Sequence, residues 1–245
     1  MTPDLTGELE TADSLHQALY GGQVATFGPV RAVYAGPGLP VNAASGFGRH
    51  ADAQVLAAVE DFYAGHGLPS RLSVYSHFTD HATLAARGYR LTQMLHLHAR
   101  PVLPDDVPVT PPGEIRTRHA TPDEFAHLTT LAFGPGSEAI MARTAARPHT
   151  QFHLAERHGR PVAAAALTVL GHVAWLFSAA TLPGDRGRGA QTALLHARLH
   201  AAAERCATHA ALLTVPGSAS ERNAHRAGFT LTAARLTLER PADTH

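Results

Sequence analysis

Shifted against itself by 140 residues, the chain matches at five successive stretches without a gap. The run Ala51 to Gly65 meets Gln191 to Arg205, and Leu72-Ser73-Val74 meets Leu212-Leu213-Thr214. Gly88-Tyr89 meets Gly228-Phe229; Leu91-Thr92 then faces Leu231-Thr232, and Arg100-Pro101 faces Arg240-Pro241. Self-similarity of this kind is the mark of one supersecondary unit used twice. A plainer reading is a likeness at fold level only. Between the copies, Pro101 to Gly113 carries five prolines and two aspartates, the composition of a stiff linker. The expected organisation is a first lobe over residues 1–105, a linker over 106–113 and a second lobe over 114–245. A chain of 245 residues is long enough for two such lobes.

The copies differ most at one loop. In the second lobe the apolar run Val173 to Leu182 ends at Pro183, and Gly184-Asp185-Arg186-Gly187-Arg188-Gly189 leads into an alanine- and leucine-rich helix. Glycines let backbone amides approach a ligand closely. A helix N-terminus behind them offers unpaired N–H groups and partial positive charge, and arginine adds a bidentate phosphate donor. The loop thus has the makings of a pyrophosphate cradle; its plainer reading is a Gly/Arg turn before a surface helix. A nucleotide-triphosphatase loop requires a lysine after its last glycine. All 20 basic residues of this chain are arginine, so that class is excluded. A dinucleotide loop requires an acidic residue roughly 20 positions beyond its glycines, and Glu204 comes too early. At the equivalent place the first lobe carries Gly46-Phe47-Gly48-Arg49, with a bulky ring and a single arginine.

Strand, proline, then Arg-Gly-Arg-Gly opening a helix resembles the acyl-CoA pyrophosphate loop of the GNAT superfamily, the GCN5-related N-acetyltransferases. Arg186 to Gly189 supplies the first four positions of that family's Arg/Gln-x-x-Gly-x-Gly/Ala pattern. Gln191 replaces its last small residue. Farther on, Ser218 to Arg226 followed by Ala227-Gly228-Phe229 resembles the second half of the same site, and the likeness extends over about residues 114 to 240. The resemblance implies an α+β (mixed α/β) fold: two GNAT-like lobes, each a mixed, mostly antiparallel central sheet flanked by helices. It implies that the first lobe is a degenerate copy that has lost acyl-CoA binding.

For function, the resemblance implies acyl transfer, with acetyl-CoA as co-substrate and an amine of a small molecule or protein as acceptor. The strand end at Thr181 and Leu182 would pair with the pantetheine arm. Arg186, Gly187, Arg188, Gly189, Ala190 and Gln191 would hold the pyrophosphate, and Asn223 would contact the pantetheine or ribose. Many family members place a tyrosine four residues before the glycine of the Gly-Phe pair, where it protonates the leaving thiolate; here that position is Ala224. Hydroxyl candidates nearby are Ser178 and Ser220, and candidate bases are His172 and Glu138. The missing tyrosine keeps a second class open, a non-catalytic acyl-CoA-binding or interaction protein.

Charged residues make up 16% of the chain and the formal net charge is zero, so no basic face points to nucleic acid. No apolar run approaches the roughly 20 residues of a membrane helix, the start of the chain lacks a signal-peptide pattern, and the single cysteine, Cys206, excludes an internal disulfide. A soluble cytoplasmic protein is the expectation, with acyl-CoA and an unidentified amine as partners, neither nucleic acid nor membrane, and a homodimer left open. The 18 histidines invite a metal. However, His196, His200 and Glu204 lie on the helix face opposite Leu195, Leu199 and Cys206, where solvent is the simpler explanation. His96 and His98 share one face of a strand, and the expectation is no metal.

Periodicity sketches the second lobe. Strands are expected at Glu114 to Arg118, Gln151 to Glu156, Pro161 to Leu170, Val173 to Leu182 and Ala211 to Val215. Helices are expected at Pro122 to Phe133, capped by Thr121, and at about 188–206. The resemblance implies that Gly134 to Arg147 covers the substrate groove.

Overall fold

The computed structural model describes residues 4–107 and 115–241, so most of the expected linker over 106–113 lies outside the described residues. In chain order the first elements are α1 (Leu5–Ala18), β1 (Gln23–Phe27), β2 (Val30–Tyr34), β3 (Ala44–Ser45), α2 (Ala53–Ala64), β4 (Ser70–Tyr75), α3 (His81–Ala86) and β5 (Arg90–Pro101). There follow β6 (Ile115–Ala120), α4 (Pro122–Phe133), α5 (Glu138–Ala145), β7 (Thr150–Arg157), β8 (Arg160–Leu170), β9 (Val173–Thr181), α6 (Ala190–Glu204), β10 (His209–Thr214), α7 (Ala219–Arg226) and β11 (Thr230–Arg240). The order α2–β4–α3–β5 recurs as α6–β10–α7–β11. Gly88 and Gly228, 140 residues apart, both make left-handed turns (φ 85° and 82°) before the last strand of their runs.

The described residues form two compact units, and they interleave in sequence: the first holds 4–97, 214–216 and 231–241, the second 98–107, 115–213 and 217–230. In the first unit β1, β2 and β3 pair antiparallel, β3 pairs parallel with β4, and β11 lies antiparallel to β4 from Arg235↔Tyr75 to Arg240↔Ser70. Its core gathers Leu56, Val59 and Tyr63 of α2 with Leu72 and Val74 of β4 and Leu238 of β11. A buried polar knot ties α1 to β11. Asp13 accepts hydrogen bonds from the Tyr75 hydroxyl at 2.8 Å and from Arg235 Nη1 at 3.1 Å. Beside it, Glu10 Oε1 accepts from the Gly48 N–H at 2.9 Å, and the Phe47 ring is buried in the core.

The second unit shows why alanine fills its central strand. Val162 to Leu167 of β8 are all fully buried. Ala163 and Ala165 pack with Ala190, Ala193 and Leu194 of α6, while Ala164 and Ala166 pack with Phe125 and Leu128 of α4. Alternate side chains of a strand point to opposite faces, so β8 is covered by a helix on each side, and the small side chain is what lets both come close. That need overrides alanine's weak strand preference. Strands β6 to β9 are antiparallel neighbours in order, and β10 joins β9 in parallel. Helix α4 begins at a full capping box, with Thr121 Oγ1 accepting the Glu124 N–H at 3.2 Å and Glu124 accepting the Thr121 N–H at 2.9 Å, and Pro122 sits in the first turn. A cap of this kind stabilises a helix by about 1 kcal/mol.

One expectation needs correcting. The His196/His200/Glu204 face of α6 is solvated only in part: Glu204 is exposed, but His196 and His200 are half-buried. His200 Nδ1 lies 3.0 Å from the Asp106 carbonyl, because the segment after β5 runs back over this helix. Among the described residues no helix is long and apolar enough to cross a membrane.

Candidate active site

β9 and β10 form an open wedge. Their parallel pairing covers only Val173–Trp175 against His209–Ala211. Beyond it lies a cavity of about 640 Å³, lined by Leu176 to Thr181 on one side and Leu212, Leu213 and Asn223 on the other. A β-bulge marks the point where β9 leaves its partner's line. Ala164 faces Ala180 and Ala166 faces Phe177, so Ser178 and Ala179 together oppose Ala165, and Ser178 adopts φ 47°. A bulge bends its strand and leaves backbone groups out of the ladder. A non-glycine residue held in the left-handed region costs on the order of 1–3 kcal/mol, a cost that the surrounding packing sustains.

The glycine-arginine loop closes one end of this wedge. The Leu182 N–H donates to Val162 O at 2.9 Å, the last bond before a single 3-10 turn at Pro183–Asp185. Asp185 pins the turn: its buried carboxylate meets Arg160 Nη2 at 2.7 Å and Arg157 Nη2 at 2.9 Å. The hydrogen bond from Arg160 holds its pKa below the ordinary carboxylate range. Gly187 and Gly189 take φ 74° and 86°, which a β-carbon resists. Around Gly184 and Gly187 there is open space where a side chain would begin. No side chain caps the start of α6, so its first-turn N–H groups face the loop. Arg186 and Arg188 are exposed beside them.

Gln191, the departure from the family pattern, is turned away from the loop. Its Nε2 donates to Thr181 Oγ1 at 2.7 Å, fastening α6 to the end of β9. Arg186 Nε donates to the Thr181 carbonyl at 3.3 Å.

Of the residues singled out in the sequence, Ser178, Thr181, Arg186, Gly187, Gly189, Ala190, Gln191, Ser220 and Asn223 all line the one cavity. Leu182 and Arg188 belong to the loop but do not line the cavity; Ser220 is exposed in the first turn of α7. Asn223 Oδ1 accepts from Arg226 Nη1 at 3.0 Å. His172 sits in the turn before β9, at the opposite end of this nine-residue strand from the loop. At about 3.3 Å per residue that places it roughly 30 Å from the cradle. Glu138 begins α5, is exposed, and accepts the Gly136 N–H at 2.9 Å. Neither His172 nor Glu138 lines the cavity.

Sequence reasoning missed two features of the wall. Phe177 points to the α4 side, where Arg147 stacks over its ring at 4.4 Å. Arg198 of α6 lines the cavity yet is itself buried. A signal for it existed: Arg198 falls four residues after Leu194 and three after Leu195, on the apolar stripe where a charge is out of place.

Comparison with known proteins agrees with this geometry. Residues 119–229 match the family model described as Acetyltransferase (GNAT) family. They are a GNAT acetyltransferase domain. A GCN5-related N-acetyltransferase from Kribbella flavida is similar in fold, with a TM-score of 0.74 at 16% identity over 96% of this chain and 95% of that one. A GCN5-related N-acetyltransferase from Sphaerobacter thermophilus gives 0.60 at 16% identity, covering 77% and 67%. A tandem GNAT protein from the clavulanic acid biosynthesis pathway gives 0.60 at 15% identity, covering 78% and 70%. None of the curated proteins matches the chain.

Within the GNAT domain, His153 of β7 supplies a pH handle. Burial, reinforced by Arg198, pushes its pKa down to about 3. Its folded-state pKa lies below the unfolded value of about 6.5, so the folded protein binds fewer protons between those limits. Stability is therefore undiminished above about pH 6.5 and falls as pH drops toward 3, at about 1.4 kcal/mol per unit. Urea unfolding between pH 7 and pH 5 should show this slope, and His153→Gln should flatten it; an equal slope in the variant would exclude His153 as its source.

Proposed function

We propose that this chain transfers an acetyl group from acetyl-CoA to an amine, of a small molecule or of a protein, by direct attack. The observation that carries this reading is the bulged wedge between β9 and β10 with a glycine-arginine loop and an uncapped helix N-terminus at its end. The fit with the donor is chemical. Left-handed glycines, open space at Gly184 and Gly187, free first-turn amides and two exposed guanidinium groups are what a pyrophosphate requires. The parted strands leave β9 backbone groups from Leu176 to Thr181 available to an amide-bearing pantetheine arm. The bulge at Ser178 and Ala179 frees backbone from the ladder beside the reacting carbon, where an N–H would stabilise a developing oxyanion.

Gly134 to Arg147 would border the acceptor side, since Arg147 at its end packs on Phe177 next to the bulge. The first lobe would not bind acyl-CoA. Its equivalent loop buries Phe47, and the Gly48 N–H already serves the Glu10 carboxylate.

A second reading, binding without turnover, is favoured by Ala224, whose methyl group stands where a hydroxyl acid is expected. Thiol release from acetyl-CoA across a panel of amines, run beside CoA titration calorimetry, decides between them. Release with any amine supports transfer. Tight CoA binding with no release on any amine supports the binder, and no CoA binding at all sinks both.

A further inference from the structure

The cavity wall contains a buried cation that no acid among the described residues balances. Arg198 Nε donates to Leu194 O at 3.1 Å, and Nη1 donates to Ala166 O at 3.3 Å. Both acceptors are neutral carbonyls. Ala166 is the residue that faces Phe177, one step from the bulge, so the guanidinium is anchored beside the place where β9 bends. Its remaining N–H groups, including both on Nη2, find no acceptor among the described residues, although the side chain lines the cavity. A guanidinium presents five donors; here most of them are left over.

The surroundings reinforce the imbalance. From β7 comes His153, neutral at physiological pH; from β6 comes His119, whose ring centroid lies 4.9 Å from that of His153. From just past the end of α6 comes Arg205, which acts on His153, and from α7 come Arg226, Asn223 and Ser220. Strand β9 and the Leu212–Leu213 part of β10 add no charged side chain to the lining. The one carboxylate in the lining, Asp185, is committed to Arg157 and Arg160. Burial lowers the Arg198 pKa to about 9, which still leaves it charged at neutral pH. An uncompensated buried charge is costly, and a protein keeps one where a ligand supplies the opposite charge.

We infer that Arg198 balances the negative charge on the CoA sulfur as it leaves, in place of the proton donor that Ala224 cannot be. The inference rests on the acetyl-transfer reading above. In the step itself the amine nitrogen forms a bond to the acetyl carbon, the C–S bond breaks, and its electron pair goes to sulfur. The proton lost by the amine leaves to water, and the thiolate departs with its charge held against the guanidinium. Arg198 stays protonated throughout. The same charge would favour CoA in its thiolate form.

That consequence is measurable without turnover. Bound CoA is titrated by its ultraviolet thiolate absorbance, in the intact protein and in Arg198→Met and Arg198→Lys. The thiol should ionise at least about one pH unit lower when bound to the unmodified protein than when free, a tenfold shift in its equilibrium. Arg198→Met should abolish the shift and lower kcat about tenfold or more, with the KM for acetyl-CoA nearly unchanged; Arg198→Lys should restore part of both. A bound thiol that titrates like free CoA overturns the inference while leaving acetyl transfer standing, and does so even if the Met variant fails to fold. An Arg198→Met protein with unaltered kcat overturns it as well. Absence of CoA binding would instead overturn the functional reading beneath it.

Discussion

Gly189→Val should lower acetyl-CoA affinity about 100-fold or more, measured by calorimetry, while leaving the protein folded. Gly189 immediately precedes α6 at φ 86°, and its carbonyl accepts the Ala193 N–H at 3.0 Å. A β-branched residue is a marked outlier there, costing about 1–2 kcal/mol. The helix escapes that cost by rotating the Gly189 peptide, which turns the first-turn amides away from the pyrophosphate. Hydrogen bonds to a charged group contribute about 1.5–3 kcal/mol each, so losing two of them accounts for the predicted factor. Gly189→Asn provides the control, because asparagine tolerates the left-handed region, and it should lose far less. Equal losses in the two variants would mean that bulk, not backbone direction, matters at this position.

The largest stability effect is expected far from the cradle, at Asp13. Both Asp13 and its partner Arg235 are inside the first unit, joined at 3.1 Å, with the Tyr75 hydroxyl at 2.8 Å from the same carboxylate. Asp13→Ala leaves a buried guanidinium without its counter-charge, which costs about 3–5 kcal/mol. A second pair, between β4 and β11, makes the comparison. Arg71 and Glu239 meet at 2.7 Å but are partly exposed, and Arg71→Met should cost no more than about 1 kcal/mol. Chemical denaturation followed by circular dichroism measures both. If Asp13→Ala unfolds at the same denaturant concentration as the parent, the knot contributes nothing.

What the sequence disclosed, and what it hid, follow from the range of the forces involved. Local signals were legible because their causes are local. Pro122 to Phe133 has its cap at Thr121 and its stop at Gly134, and the helix occupies that span. The cradle was legible because its chemistry is written in consecutive residues. The bulge was hidden, since nothing about Ser178 as a residue type announces φ 47°; the strand bends there because of its pairing with β8. Arg198 was hidden by averaging, one charge inside an alanine- and leucine-rich helix. Asp185 was passed over because its two arginines come from the end of β7 and the start of β8, more than 20 positions upstream. The address of β11 was hidden for a related reason: 230–240 reads as an amphipathic strand, and its alternation is satisfied by any sheet edge.

That address has a consequence for how the chain is made. β4 emerges from the ribosome well before its partner: the strand that pairs along it from Ser70 to Tyr75 is Arg235 to Arg240, far along the chain. Until then β4 presents an open edge, a template for pairing with other chains, and Asp13 waits for an arginine not yet synthesised. The first half of this protein thus finishes folding only once β11 has been made, so nascent chains cut short before it should be the species that aggregates or engages chaperones.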